Sequence, residues 1–249
     1  MTATASRLLV AGDWHGDISW AEQMIRAARH HGCDGVLQLG DFGMWVGDPP
    51  APLHDEYTEV LADICEQHEV WVRFVDGNHD DHPDWRAAYP ARADGIRPIR
   101  DGVLDWADRA AVWEWSGVKF GALGGAISID REYLAAGWSW WPTEETSLDD
   151  VHALADRSGG SVDILVCHDA PILPDGSGRL DDPVLDADCA RNRSRIGQAA
   201  IHLQPSLLLH GHYHRRRSTV WHGIRVEGFA AGERAGAWAV LDLDGLTLG

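Results

Sequence analysis

The amino-acid sequence predicts an α/β fold built around a mixed sheet core. Two observations carry this. The first half alternates short apolar runs with segments of helical periodicity, the pattern of parallel βαβ units. The middle and the end add hairpin-like strand pairs. A third observation bears on organisation: no repeat and no linker interrupts the 249 residues, so one domain over 1–249 is the simplest expectation. A chain of this length buries a full core without disulfide or metal staples.

The elements follow in order. Leu8-Leu9-Val10-Ala11-Gly12 is a short apolar run that ends at a glycine, and reads as the first strand. Ile18 to His31 reads as a helix, with Met24, Ile25 and Ala28 on one face. Gly35 to Leu39 is a second strand, followed by a Pro-rich loop over Gly47 to Pro52 and a helix over Glu56 to His68. Glu69 to Val75 is a third strand. Ala110 to Leu123 reads as a hairpin turning at Ser116-Gly117. A Gly124-Gly125 loop and the Trp-rich stretch Trp138 to Pro142 come next, then a helix over Thr146 to Arg157. Asp163 to Cys167 is a buried-type strand, 187 to 203 a helix, and Ser206 to His210 a strand. Ser218 to Leu248 reads as strand, turn and strand.

Composition narrows the functions open to such a fold. The net charge is -18, from 39 acidic and 21 basic residues. That surface repels polyphosphate backbones and disfavours extended nucleic acid, while it attracts metal cations. No stretch approaches the ~18 unbroken apolar residues of a membrane span. The polar Met1 to Arg7 does not read as a signal peptide. The four cysteines are scattered without a Cys-x-x-Cys pair, so a disulfide framework or thiolate zinc site is not expected, and a cytoplasmic location fits. Lys119 is the only lysine, and with abundant Ala, Gly, Asp and Trp this suggests a GC-rich genome, actinobacterial or that of a phage of such a host.

The chemistry gathers where Asp, His and Asn fall just past the strands. Asp13 and His15 follow the first strand, Asp41 the second, and Asn78, His79 and Asp80 the third. His168 follows the strand ending at Cys167, and His212 and His214 follow the one ending at His210. Polar clusters at the carboxyl ends of strands are where open α/β sheets place their sites. Carboxylate, imidazole and amide oxygen without thiolate suit hard-to-borderline divalent metals. Residues i and i+2 in extended backbone point the same way, which would let Asp13 with His15, and His212 with His214, reach ions together. Taken singly each segment is weak: Asp-x-His is common, Gly-Asp is often only a turn, and Gly-Asn favours tight turns. Their number and order are what point to a shared metal site.

The ordered set Asp-x-His, Gly-Asp, Gly-Asn-His-Asp, His and Gly-His-x-His, from Asp13 to His214, resembles that of the calcineurin-like metallophosphoesterases. The resemblance implies a four-layer αββα sandwich of two mixed sheets. It implies two divalent ions, with Mn²⁺ favoured and Fe, Zn²⁺ or Ni²⁺ also accepted. The first would take Asp13, His15, Asp41 and His214, the second Asp41, Asn78, His168 and His212, with Asp41 as the bridge. A metal-bridging hydroxide would attack phosphorus in line. His79 would stabilise the developing charge or protonate the leaving oxygen. Asp80 would orient His79 through a hydrogen bond, or would instead cap the next helix; both readings stay open.

Within the family, the Ser/Thr protein phosphatases carry an arginine and a second aspartate after Gly-Asp that are missing here, where Phe42-Gly-Met-Trp follows. The nucleases of recombination and repair are usually longer, with added capping or DNA-binding regions for which this chain has little room, and its charge is wrong for DNA. Small phosphodiesterases acting on 2′,3′- or 3′,5′-cyclic nucleotides are similar in size and motif spacing, with phosphomonoesterases, nucleotide pyrophosphatases and a non-catalytic scaffold as alternatives. The expected partner is therefore a small phosphorylated substrate of nucleotide type. Arg191, Arg193 and Arg195 form a basic cluster that reads either as a solvated helix face paired with Asp181, Asp182, Asp186 and Asp188, or as a substrate clamp. On the second reading Arg191, Arg195 and Arg131 would contact the substrate. Asp130 could lie near the site. Trp14 and Trp45 are candidates for stacking on a base or, more often, for packing the strand ends.

Overall fold

The computed structural model describes residues 7–44, 53–174, 176 and 178–249. Trp45 and the Pro-rich loop over Gly47 to Pro52 lie outside them. The first half follows the expected alternation: β1 (Arg7–Ala11), α1 (Ile18–His30), β2 (Gly35–Gln38), α2 (Leu53–His68) and β3 (Trp71–Phe74). Asp17 caps α1 by accepting the Ser19 and Trp20 amides, and Trp20, Met24, Ile25 and Ala28 form its buried face. Three further elements follow that the sequence pattern does not reveal: α3 (His82–Ala88), β4 (Ile96–Arg100) and β5 (Leu104–Ala107).

The expected hairpin is β6 (Val112–Trp115) and β7 (Val118–Leu123), with Trp115 opposite Val118. Ser116 and Gly117 both have positive φ, 52° and 77°, which is the type I′ turn whose twist matches that of two paired strands. Then come α4 (Leu148–Ser158), β8 (Ile164–Cys167), α5 (Pro183–Leu203) and β9 (Leu207–His210). The tail holds four strands, not two: β10 (Arg217–Trp221), β11 (Ile224–Gly228), β12 (Trp238–Asp242) and β13 (Thr247–Leu248).

These strands form two mixed sheets. The first has order β13-β12-β1-β2-β3-β5-β4, with β1, β2, β3 and β5 parallel and the outer strands antiparallel. The second has order β10-β11-β9-β8-β7-β6, with β11, β9, β8 and β7 parallel. Three buried clusters mark the interfaces between four layers. One joins α1 and α2 to the first sheet through Trp20, Ile25, Leu61, Leu9 and Val72. The central one holds Leu8, Val10 and Leu37 of the first sheet against Phe120, Ile164 and Leu207 of the second. The third packs Leu154, Ile196 and Leu203 of α4 and α5 onto Leu165 and Leu208. This is the αββα sandwich. Trp14 is 2% exposed and its ring lies 5.7 Å from that of Phe42, so it packs the strand ends and offers no stacking platform.

Candidate metal centre

The parallel strands of both sheets end on one edge, and the loops there carry the candidate ligands. Asp13 and His15 follow β1, Asp41 follows β2, Asn78 and His79 follow β3, His168 follows β8, and His212 and His214 follow β9. Backbone bonds tie these loops together: the Trp14 and His15 amides donate to the Asp41 carbonyl at 3.1 and 2.7 Å, and the Gly211 amide donates to the His168 carbonyl at 3.1 Å. Glycines allow the close approach. A Cβ on Gly77 would stand 2.0 Å from Asp41 Oδ1, and one on Gly211 2.1 Å from Asp13 Oδ1.

In one half of the site, His15 Nε2 and His214 Nε2 lie 3.0 Å apart, and His214 Nε2 is 2.9 Å from Asp13 Oδ2. Asp13, His15, Asp41 and His214 each offer a ligand atom within 4.8 Å of all the others. In the other half, His168 Nε2 lies 3.2 Å from Asn78 Oδ1 and 3.4 Å from Asp41 Oδ1. Its Nδ1 is 2.7 Å from the Leu39 carbonyl, which fixes the ring with Nε2 toward the site. The His212 ring lies 5.1 Å from that of His168. Asp41 faces both halves: Oδ2 is 3.9 Å from His15 Nδ1, while Oδ1 is the oxygen near His168 and accepts the His79 amide at 3.1 Å.

The expectation that His212 and His214 share a direction in extended backbone is not met. His15, Asp41, His212 and His214 all have positive φ, of 49°, 50°, 66° and 50°. The left-handed turns throw the His212 ring toward His168 and the His214 ring toward His15, one to each half.

These residues fit a divalent cation. Imidazole nitrogens about 2.1 Å from one ion at a right angle stand roughly 3 Å apart, the spacing of His15 and His214. Buried Asp13 Oδ2 has no hydrogen bond despite its closeness to His214, so an acceptor is left for a cation. Burial opposes a charge on His168, yet Asp41 beside it outweighs this and pushes the imidazole pKa up to about 10. Burial likewise opposes ionisation of Asp41, but His168, His79 and His15 hold its carboxyl well below the usual range. His15 is lowered, chiefly by burial.

A cleft of about 530 Å³ opens over the cluster, lined by His79, Asp130, Arg193, Tyr213 and Arg234 among others. Asp130 therefore stands at the site. The arginines expected as substrate contacts do not line this cleft. Arg131 and Arg191 pair with Asp188, and Arg191 and Arg195 both pair with Glu145. Arg131 lines an adjoining hollow with Leu180 and Val184.

Asp80 is also corrected. Its buried carboxylate accepts the amides of Phe42, Gly43, Met44 and Gly77 at 2.8–3.1 Å. Its hydrogen bonds in the described structure thus join the loops after β2 and β3, and none reaches the His79 ring. Nor does Asp80 cap α3; Asp81 does, accepting the Asp84 amide at 3.4 Å. Sequence reading also missed Asp76, Arg109, Ser128 and Glu144, all buried behind the ligands. Their partners lie 16 to 50 positions away, so no local spacing announces them.

Residues 6–216 match the model of the calcineurin-like phosphoesterases. The chain belongs to that family. Its fold is similar to the crystal structure of TT1561 of Thermus thermophilus, at 14% identity and a TM-score of 0.60, covering 99% of this chain and 98% of that one. A dimetal phosphatase from Danio rerio gives 14% identity and a TM-score of 0.57 over 96% and 93% of the two chains. A putative 5′-nucleotidase from Staphylococcus aureus gives 12% identity and 0.51, over 98% of this chain and 52% of that one. No curated protein matches. Among the described residues, no helix is long and apolar enough to cross a membrane.

Proposed function

We propose that the protein is a dinuclear metal-dependent phosphoesterase that acts as a phosphodiesterase on small nucleotide-type substrates, cyclic nucleotides among them. The observation that carries this is Asp41, whose two carboxylate oxygens face opposite halves of one ligand cluster. Asp13, His15 and His214 would complete the site on one side of it, and Asn78, His168 and His212 the site on the other. Two divalent ions, Mn²⁺ foremost, would supply Lewis acidity toward phosphoryl oxygens and toward a water when bound by these residues. Leu39 holds the His168 ring in one orientation. The backbone amide of His79 is pinned to Asp41 and its ring lines the cleft, where it donates a proton to the leaving oxygen.

Charge supports a diester over a monoester. A monoester dianion calls for cationic clamps beyond the metals. Of the described residues lining the cleft, the arginines are Arg193 and Arg234, set against Asp130 and Asp169. Arg193 is also buried, donates to the Cys189 carbonyl and lies 3.7 Å from Asp186. The more weakly charged diester suits that balance better.

The test is Mn²⁺-dependent hydrolysis of bis(p-nitrophenyl) phosphate beside a panel of 2′,3′- and 3′,5′-cyclic nucleotides, monoesters and pyrophosphates. Diesters are expected to have the highest kcat/KM; a clear preference for monoesters overturns the phosphodiesterase reading, and no turnover with any divalent metal overturns the enzyme. His79→Ala is expected to lower kcat by about 100-fold or more with metal content unchanged. Asp41→Asn is expected to weaken binding of both ions, and two tightly held ions in that variant would contradict the bridge.

A further inference from the structure

We propose that Ser128 and Glu144 are positioning residues for the Asn78 amide, and that they decide which of its ends faces the cation. The proposal rests on the dinuclear reading above. An amide offers an acceptor at one end and a donor at the other, and only the oxygen can hold a cation. The two ends have nearly the same shape, so hydrogen bonds must set the orientation.

The structure supplies a one-way chain of such bonds. Asn78 Nδ2 donates to Ser128 Oγ at 3.1 Å. Ser128 Oγ donates in turn to Glu144 Oε2 at 2.6 Å, and the Ser128 amide donates to Glu144 Oε1 at 2.9 Å. A carboxylate only accepts. With both oxygens occupied, Glu144 fixes the Ser128 hydroxyl proton on its own side. The lone pair left on Oγ then faces Asn78 and takes an N–H. The amide oxygen is thereby turned toward His168 Nε2, 3.2 Å away.

Glu144 is held as firmly as the amide it directs. It is 1% exposed, Ser128 1% and Asn78 2%. The Arg109 guanidinium donates to the Thr143, Glu144 and Glu145 carbonyls at 2.9, 2.9 and 2.7 Å. The same guanidinium bonds Asp76 Oδ2 at 2.9 Å through Nε, and Asp76 stands two residues before Asn78. The contacts close a ring through Asp76, Arg109, Glu144, Ser128 and Asn78. The segments from Gly124 to Arg131 and from Trp138 to Glu145 thus gain a function: they carry the two side chains that orient one ligand.

The test is a Mn²⁺ titration of the metal-free full chain by calorimetry, with electron paramagnetic resonance of the bound ions, on wild type, Ser128→Ala and Glu144→Gln. Glu144→Gln keeps the shape but exchanges one acceptor for a donor. The Ser128 amide claims the remaining acceptor, the new N–H faces Ser128 Oγ, and the hydroxyl proton turns toward Asn78. Wild type is expected to bind two magnetically coupled ions. Each variant is expected to hold one ion with wild-type affinity and the other about 10–100-fold more weakly, with the spectrum of an isolated ion. Two ions at wild-type affinity in both variants would overturn the positioning role while leaving the dinuclear reading intact. Wild type failing to bind two ions would overturn that reading, and this proposal with it. Equal weakening of both sites with loss of far-UV circular dichroism would show a merely structural role; if only Ser128→Ala misfolds, the isosteric Glu144→Gln decides.

Discussion

Left-handed backbone at a residue with a side chain costs of order 1–3 kcal/mol, and His15, Asp41, His212 and His214 all adopt it. Surroundings that hold four such residues at one edge spend stability to aim side chains. Their neighbour His82 shows a related cost. It is fully buried, with Nδ1 3.2 Å from the Asp80 carbonyl and Nε2 2.9 Å from Thr143 Oγ1. Burial, then the Arg109 charge, push its pKa down to about 4. The folded protein therefore refuses a proton that the unfolded chain accepts near pH 6.5. The stability is fully present above that pH and is lost as pH falls toward 4, by about 3 kcal/mol. Denaturant unfolding of the metal-free protein at pH 7 and pH 4.5 measures this. Wild type is expected to lose ~2–3 kcal/mol more than His82→Gln between the two pH values, and equal losses would refute the assignment. At this scale the candidate ligands were legible as a cluster, because their chemistry admits few residue types and strand ends give their place. Asp80 was not: its partners are backbone amides, which leave no mark in the side-chain pattern.

Helix geometry explains why three arginines read as one cluster separate in space. Residues four apart share a helix face, and residues two apart diverge by about 200°. Arg191 and Arg195 accordingly reach Glu145 together, while Arg193 turns inward and is 4% exposed. Partly exposed ion pairs contribute about 0–1 kcal/mol. Arg191→Ala and Arg195→Ala are expected to lower stability by no more than ~1 kcal/mol and to change kcat/KM by less than about twofold. A tenfold fall in kcat/KM at unchanged stability would return them to the substrate. The elements the sequence reading overlooked share a cause. β4 is an edge strand interrupted by Pro98 and a register shift, and proline is tolerated at an edge because its missing amide would face outward. In α3, Pro83 looks like a breaker but occupies the first turn behind the Asp81 cap, where no intrahelical amide is needed. The βαβ units were legible because burial on both faces makes their strands nearly continuous apolar runs.

Across the whole molecule, the candidate ligand cluster sits where two sheets meet. Asp13, His15 and Asp41 hang from the first sheet, and His214 from the second. A cation held by that set ties the sheets at the edge where three left-handed turns and two buried carboxylates weaken them. The metal-free state also keeps Asp13 and Asp41 close together, with His168, His79 and His15 offsetting the charge on Asp41. The sequence announced the candidate ligands, but the joining of the sheets rests on packing between residues far apart in the chain, such as Leu8 and Ile164, and on the pairing of β12 with β1, by which the tail crosses back to the first sheet. Cation binding to the folded state alone stabilises it by about 2.7 kcal/mol per site at a hundredfold excess over Kd. For a chain of this size each kcal/mol raises Tm by roughly 2–4 °C. Two sites filled by Mn²⁺ are therefore expected to raise Tm by roughly 10–20 °C over the protein in EDTA, with the increment growing as the logarithm of free metal. Asp41→Asn, which removes the carboxylate paired with His168 and weakens both sites, is expected to melt below wild type in EDTA and to gain far less from Mn²⁺. Equal gains in the two proteins would mean that the cation binds elsewhere and does not hold the sheets together.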